Sequence, residues 1–170
     1  MNNADMLRFA TIIKFQKGII SSLLLRGFAQ VCDEQLKQKI LEYDKEVFEN
    51  PQTIGICVFI STLNDKPIGL ASWDPRKWPE AEIGWNCILP EFQGKGFGKL
   101  QIMELLRRFK TAGFKKAHVK TSLNPFFIPA QKMYVACGFK ESLRNPICDK
   151  SVYGTIDYEI NLNNRFEKNR

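Results

Sequence analysis

The sequence contains a single histidine, His118, among its 170 residues. A zinc site built from several histidines is therefore excluded, and a catalytic triad could use only that one imidazole. The five cysteines are an odd number, and no two of them stand in C-x-x-C spacing. Neither a disulfide framework nor a metal-binding knuckle is indicated, so we expect a reducing, cytoplasmic location and no metal.

Long apolar runs and sorting signals are also missing. The longest apolar stretch, near Ile54–Ile60, is far too short to span a bilayer. The first five residues are polar and lack the basic segment of a secretory signal. We therefore expect no membrane partner and one domain over residues 1–170, with a core from about 7 to 162 and a frayed tail at 163–170.

Basic residues are in excess, and the excess is local. The chain has 25 Lys and Arg against 18 Asp and Glu, a formal charge of +7. Between Lys95 and Lys120 there are eight basic residues and one acidic residue, Glu104, whereas the rest of the chain carries 17 of each. A local basic segment favours a polyanionic ligand over a surface that is basic throughout.

Hydrophobic periodicity and turn residues predict a mixed α/β domain in the order β-α-α-β-β-β-α-β-α-β-β. The predicted strands are Leu7–Phe15, Ile54–Leu63, Lys66–Trp73, Ala81–Leu89, Lys116–Ser122, Phe139–Leu143 and Val152–Leu162. The predicted helices are Ile19–Gln30, a second from its N-cap Asp33 to Glu49, Lys99–Ala112 and Ala130–Cys137.

A glycine-rich turn, Gln93–Lys99, joins a predicted strand to an amphipathic helix. Glycines let the backbone approach a ligand, and the start of a helix offers unpaired N–H groups to an anion. The spacing fits neither a P-loop, because Lys99 is followed by Leu100, nor the G-x-G-x-x-G dinucleotide fingerprint. A tight turn without a ligand is the alternative, but the flanking lysines favour phosphate.

Two motifs resemble those of the GNAT superfamily of acyl-CoA-dependent N-acyltransferases, in particular its bacterial N-acetyltransferases. Gln93–Gly98 is similar to the family motif Q/R-x-x-G-x-G/A, and Ile88–Phe92 resembles its apolar–apolar–Pro–acid–aromatic lead-in. Ala130–Phe139 resembles the second signature, A-x-x-x-Y-x-x-x-G-F. Many relatives carry Asn where this chain has Phe127, three residues before Ala130.

The resemblance implies a single-domain α/β fold with a central, mostly antiparallel mixed sheet of about seven strands, splayed between the fourth and fifth, and about four helices. It also implies that acetyl-CoA donates an acetyl group to a primary amine of a small molecule, amino acid or peptide, by direct attack in a ternary complex. The acetyl-CoA-binding residues it implies are Ile88, Leu89, Gln93, Gly94, Lys95, Gly96, Phe97, Gly98, Lys99, Asn124 and Tyr134.

The resemblance further implies an N–H near Leu89 that polarises the acyl carbonyl, and Tyr134 as the acid that protonates the leaving thiolate. Glu82 fits the family's base, and His118 is an alternative in a lysine-rich strand. The residues expected to line the acceptor pocket are Trp73, Asp74, Arg76, Trp85 and Phe127. In that pocket Asp74 would bind a cationic amine and Arg76 a carboxylate, although the sequence favours reading Asp74-Pro75 as a turn.

Two other classes remain open at this stage. A basic nucleic-acid-binding module would fit the charge, but no base-stacking motif or helix-turn-helix spacing accompanies it, so no nucleic acid is expected. A protein of the same fold that binds acyl-CoA without turnover is the second alternative. The sequence leaves a homodimer, the acyl chain length and the acceptor open.

Overall fold

The computed structural model describes residues 6–147 and 152–162. The tail expected to be frayed, 163–170, lies outside the described residues. Seven strands and four helices of more than one turn occur in the described part of the chain. The strands are β1 Leu7–Thr11, β2 Val58–Leu63, β3 Lys66–Asp74, β4 Glu80–Ile88, β5 Lys116–Ser122, β6 Lys140–Asn145 and β7 Thr155–Asn161. The helices are α1 Ile19–Gly27, α2 Glu34–Glu49, α3 Phe97–Thr111 and α4 Ile128–Ala136.

The strands form one mixed sheet in the order β1-β2-β3-β4-β5-β7-β6. Strands β4 and β5 run parallel, in a register that begins at Glu80 and Lys116 and ends at Ile83 and Val119, and the other neighbours are antiparallel. The predicted α/β class, element order and seven-stranded mixed sheet are confirmed.

Local signals in the sequence fix several element boundaries. Asp33 caps α2 by accepting a hydrogen bond of 2.7 Å from the N–H of Leu36. Asn64 and Asp65 both adopt positive φ, 49° and 63°, in the two-residue turn between β2 and β3. Such a turn matches the twist of its strands, which is why this hairpin was predictable.

Two predicted strands extended into residues that form a 3₁₀ turn in the structure. The first ends at Thr11, because Ile12–Lys14 form a turn that buries Ile12. The second begins at Val58, after a turn over Gly55–Cys57. Isoleucines in or beside these turns, Ile12, Ile13, Ile54 and Ile56, have high β-propensity, so composition alone predicted strand there.

The chain divides into two compact units. The first takes Met1–Trp73 and Gly84–Gln101, and the second takes Asp74–Ile83 and Ile102–Arg170. In the first unit, α1 and α2 pack on an aliphatic core that includes Leu24, Ile40 and Leu70. Buried Asp44 of α2 accepts hydrogen bonds from the N–H groups of Gly18 and Ser21 and so anchors the start of α1.

In the second unit, two groups of aromatic side chains pack together. Phe114 contacts Phe109 and Trp78, with ring centroids 5.7 and 5.0 Å apart. Tyr134 packs edge-to-face on Phe139 and beside Tyr158. The expectation of a single domain over the whole chain stays a prediction.

Candidate active site

In the first unit, the glycine-rich turn is fastened to the end of β4. The side-chain amide of Gln93 donates a 2.8 Å hydrogen bond to the carbonyl of Ile88. A 3₁₀ turn over Pro90–Phe92 lies between them, and the N–H of Gln93 closes it on the carbonyl of Pro90. The position of the turn is therefore set by the strand that precedes it.

Within the turn, Gly94 and Gly96 adopt φ of 73° and 84°, a region that residues with a side chain rarely enter. A Cβ at either position would meet open space, so the backbone is uncovered on that side. The first helical hydrogen bond of α3 runs from the N–H of Leu100 to the carbonyl of Gly96. The N–H groups of Phe97, Gly98 and Lys99 thus precede the helical pattern, as an anion-binding helix start requires.

At the end of β4, one edge of the backbone is hydrogen-bonded to β3 and the other edge faces away from it. The N–H of Leu89 donates to the carbonyl of Ile68 in β3 at 2.8 Å. The N–H of Leu89 and the carbonyl of Ile88 belong to the same trans peptide and point in opposite directions, so the Ile88 carbonyl faces away from β3. In an extended strand the N–H and the carbonyl of one residue point to the same side, so the N–H of Ile88 faces away from β3 as well. The Leu89 N–H is thus engaged inside the sheet, and Ile88 carries the outward N–H. The oxyanion role expected of an N–H near Leu89 stays a prediction.

Gln101, in the first turns of α3, is a buried polar residue beside the turn that the sequence reasoning missed. It is fully buried, and its amide nitrogen lies 2.8 Å from the carbonyl of Leu70 and 2.6 Å from Oδ1 of Asn86. Its amide oxygen accepts a hydrogen bond from the hydroxyl of Ser61. A polar residue beside Ile102 and Leu105 on the buried side of the helix was the available signal.

The basic residues in and near the turn have different hydrogen-bond and ion-pair partners. The ammonium of Lys95 donates to the carbonyl of Glu91 at 3.2 Å and lies 5.6 Å from the ring centre of Phe92. Arg26 of α1 forms an ion pair with Glu91. Further along α3, Arg107 and Arg108 both bind Glu104, at 2.8 and 2.7 Å, and so are engaged with a carboxylate of their own helix.

Trp85 of β4 belongs to an aromatic cluster in the first unit. Its ring lies 6.0 Å from that of Phe28 and 5.9 Å from that of Tyr43, centroid to centroid. Burial raises the pKa of Tyr43 to about 12, and a hydrogen bond with Ser72 opposes that rise. These rings pack against the aliphatic core, and Trp73, the neighbouring expected pocket residue, is half-buried.

In the second unit, Tyr134 is buried on α4, with 4% of its surface exposed. Glu82 of β4 is held by the ammonium of Lys77 at 2.7 Å, and that carboxylate raises the pKa of Lys77. The expected base is therefore half of an ion pair, and its role stays a prediction.

Asp74 and Arg76, which were expected to contact different groups of a substrate, are hydrogen-bonded to each other. The guanidinium and the N–H of Arg76 both donate to the Asp74 carboxylate, with Nε 2.9 Å from each oxygen. The hydrogen bond from the Arg76 side chain lowers the pKa of Asp74. The turn interpretation of this segment accounts for the contact, and the two residues' roles toward a substrate stay predictions.

The loop before α4 is built by Asn124 and two phenylalanines. The Asn124 side chain accepts a 2.9 Å hydrogen bond from the N–H of Phe126, which caps the 3₁₀ turn over Pro125–Phe127. Phe127 packs edge-to-face on Phe126. The amide oxygen of Asn124 thus serves the turn, and a contact to the pantetheine arm stays a prediction.

None of the helices at 6–147 and 152–162 is long and apolar enough to cross a membrane. The same residues bring together no group of three or more His, Cys, Asp or Glu that could hold a metal ion.

The family model for the acetyltransferase (GNAT) family matches residues 22–139. The chain belongs to the GNAT family of acetyltransferases. No curated protein matches the sequence.

Solved structures show the same fold at low sequence identity. A GNAT-family structure from Desulfovibrio desulfuricans has a TM-score of 0.77 and 15% identity over 94% of this chain and 99% of that one. A structure from Salmonella typhimurium with its cofactor acetyl-CoA has a TM-score of 0.71 and 15% identity over 95% and 96%. A chimera of the spermidine N-acetyltransferase SpeG from Vibrio cholerae and hSSAT has a TM-score of 0.72 and 19% identity over 92% of this chain and 95% of that one.

Proposed function

We propose that this GNAT protein transfers an acetyl group from acetyl-CoA to the primary amine of a small molecule, amino acid or peptide, without a covalent enzyme intermediate. The observation that carries the proposal is the turn after β4, with Gln93 bound to Ile88 and two glycines at positive φ ahead of α3. Its open backbone and the N–H groups of Phe97–Lys99 fit a pyrophosphate. Acetyl-CoA supplies the activated acetyl thioester.

Residues of this chain supply binding and proton transfer. In the proposal, the outward N–H of Ile88 polarises the acyl carbonyl, in place of the Leu89 N–H that β3 engages. Lys95 and Lys99 attract the phosphates. Tyr134 returns a proton to the sulfur of the leaving thiolate, and Glu82 and His118 are the two candidates for the base.

The five cysteines are an odd number, and no two of them stand in C-x-x-C spacing. This pattern supports the proposal that the protein works in the reducing cytoplasm. Burial raises the pKa of Cys87 to about 12, so this thiol is a poor nucleophile, in keeping with direct attack by the amine.

The test has two arms. Acetyl-CoA is added in a thermal-shift assay, where binding should raise the melting temperature in a concentration-dependent way. Release of free CoA thiol is then followed with spermidine, free L-amino acids and a peptide with an unblocked N-terminus. A thermal shift with turnover of at least one amine supports the proposal, a shift without turnover supports an acyl-CoA-binding sensor, and salt-dependent DNA or RNA binding without a shift supports the nucleic-acid module.

A further inference from the structure

One peptide group at the end of β4 carries the N–H that is proposed to polarise the acyl carbonyl. The N–H of Ile88 and the carbonyl of Cys87 belong to this trans peptide, so they point in opposite directions. The residues that contact the carbonyl, Gly69 and Gln101, lie in the first unit together with the peptide itself. A contact that holds the Cys87 carbonyl therefore also sets the direction of the Ile88 N–H.

Gln101 of α3 contacts this peptide directly. Its amide nitrogen lies 3.2 Å from the Cys87 carbonyl, 2.8 Å from the Leu70 carbonyl and 2.6 Å from Oδ1 of Asn86. Main-chain carbonyls only accept hydrogen bonds, so the amide nitrogen faces the strands and the amide oxygen faces the hydroxyl of Ser61. The amide is thus held in one orientation, with its two hydrogens shared among the acceptors on β3 and β4.

Gly69 of β3 leaves the space into which the same carbonyl projects. A Cβ at this position would lie 2.3 Å from the Cys87 carbonyl oxygen and 3.1 Å from Cα of Ile88. Non-bonded atoms attract best at about 3.5–4.0 Å, and both of these neighbours are backbone atoms, so a side chain at residue 69 would displace the end of β4. The glycine therefore permits the close approach of β3 to this peptide.

The Cys87 carbonyl is thus constrained from two sides by different means. Gln101 binds it from α3, and Gly69 makes room for it in β3. A hydrogen bond to a peptide carbonyl also polarises that peptide, which makes the N–H at its other end a stronger donor. Both the direction and the donor strength of the Ile88 N–H therefore depend on these two residues.

We propose that Gln101 and Gly69 position the peptide between Cys87 and Ile88, so that its N–H points at the carbonyl oxygen of the acetyl thioester. This inference rests on the proposed function. As the amine nitrogen bonds to the thioester carbon, one electron pair of the C=O bond moves to oxygen, where the N–H stabilises it. The pair returns when the C–S bond breaks and CoA leaves as the thiolate. The proton transfers are those of the proposed function, and Gln101 and Gly69 take no part in them.

The test measures the carbonyl stretch of bound acetyl-CoA, labelled with ¹³C at the thioester carbonyl, by infrared spectroscopy without an acceptor amine. A hydrogen bond to this carbonyl lowers its stretching frequency, so the bound band should lie below that of free acetyl-CoA. In Gln101→Met, which keeps the side-chain length and removes the amide, the band should move back toward the free position. We expect kcat to fall about tenfold or more, with the Kd for acetyl-CoA changed by less than about threefold.

Gly69→Ala tests the second contact while the Gln101 amide is intact, and it should move the band and lower kcat in the same way. Gly55→Ala is its matched control, because a Cβ there would also be crowded, 3.1 Å from the Ile12 side chain, but in the turn before β2. Asp44→Asn is the matched control for Gln101→Met, since Asp44 is also buried and its hydrogen bonds hold the start of α1. Both controls should keep the band at its wild-type position.

Circular dichroism checks that each variant is folded, and where one of the two test variants is not, the other decides. A folded test variant whose carbonyl band stays at the wild-type position overturns the inference for that residue, whatever its kcat, because a purely structural loss would lower kcat alone. An equal movement of the band in Asp44→Asn also overturns the inference, since loss of any buried contact would then suffice.

Failure of the proposed function gives a different result. Absence of turnover by the unsubstituted protein with every amine of the panel overturns the proposed function and this inference with it. Turnover by an unsubstituted protein that does not lower the carbonyl frequency of bound acetyl-CoA overturns the role of the Ile88 N–H, and so this inference, while acetyl transfer stands.

Discussion

The side-chain amide of Gln93 is bonded to the carbonyl of Ile88, five residues earlier in the chain, at 2.8 Å. This single contact joins the strand end proposed to hold the acyl carbonyl to the turn proposed to hold the phosphates. Covalent bonds in the cofactor limit how far apart those two groups can lie. A shift of the turn relative to the strand should therefore weaken binding even where every phosphate contact is kept.

Replacing Gln93 by Met keeps the side-chain length and removes the amide. A hydrogen bond of this kind is worth about 0.5–1.5 kcal/mol, so the Kd for acetyl-CoA should rise up to about tenfold. Isothermal titration calorimetry measures this Kd. Gln38→Met is the control, since Gln38 also donates through its amide, to Glu42, on an exposed face of α2. Equal affinities for the two variants would show that the turn does not depend on Gln93.

Neutralising Lys95 and Lys99 together, by substitution with Gln, should raise the KM for acetyl-CoA several-fold and flatten its dependence on ionic strength. Salt screens the attraction between exposed charges beyond a Debye length of about 10 Å at 0.1 M. Without the two lysine charges there is less attraction to the phosphates for salt to screen, so the KM depends less on ionic strength. Initial rates across a series of NaCl concentrations give both quantities. The double variant Arg107→Gln, Arg108→Gln is the comparison, because both arginines bind Glu104. Matching salt slopes in the two double variants would contradict the assignment.

Replacing Tyr134 by Phe removes one hydroxyl and keeps the ring that packs on Phe139. We expect kcat to fall by about 10²-fold while the Kd for acetyl-CoA stays nearly constant, because the acid acts on the leaving thiolate. Tyr158→Phe removes a hydroxyl from the adjacent ring and should leave kcat unchanged. Steady-state kinetics with calorimetric Kd values separates the two effects; unchanged turnover in Tyr134→Phe removes it as the acid.

The pH dependence of stability should carry a contribution from Glu104. The hydrogen bond from Arg107, reinforced by Arg108, lowers the pKa of this carboxyl below its ordinary value. A lowered folded-state pKa stabilises the fold above the ordinary glutamate pKa, and the contribution disappears as pH falls through the folded-state value. Because Arg107 is largely exposed, the effect should stay below about 1 kcal/mol. Urea unfolding of wild type and Glu104→Gln at pH 7 and at a pH below the ordinary glutamate pKa should show the difference between their free energies of unfolding shrinking at the lower pH.

The sequence predicted what depends on local chemistry. Asp33 at an N-cap, the Asn64-Asp65 turn and the glycines ahead of α3 all act on their immediate neighbours, so spacing alone placed them. The family assignment followed from the same segment and from the second motif around Tyr134.

Contacts between distant segments were not predictable in this way. Gln101 reaches Leu70 and Ser61 from 31 and 40 residues away, and nothing in the local pattern of α3 says which strands it meets. The partner of the Leu89 N–H was not predictable for the same reason, since it is the carbonyl of Ile68, 21 residues earlier. His118 and Asp157, 39 residues apart, became a pair only once the register of β5 and β7 was known.

The buried amide of Gln101 has a thermodynamic consequence for the whole turn. Its bonds to β3, β4 and Ser61 lie entirely within the protein, so the first turns of α3 are ordered by folding itself. A pre-organised site loses little conformational entropy when it is occupied, and no fraction of the protein has to be selected from a rarer shape. Association with acetyl-CoA should then be fast and close to a single step, and differences in affinity among turn variants should be seen mainly in the dissociation rate.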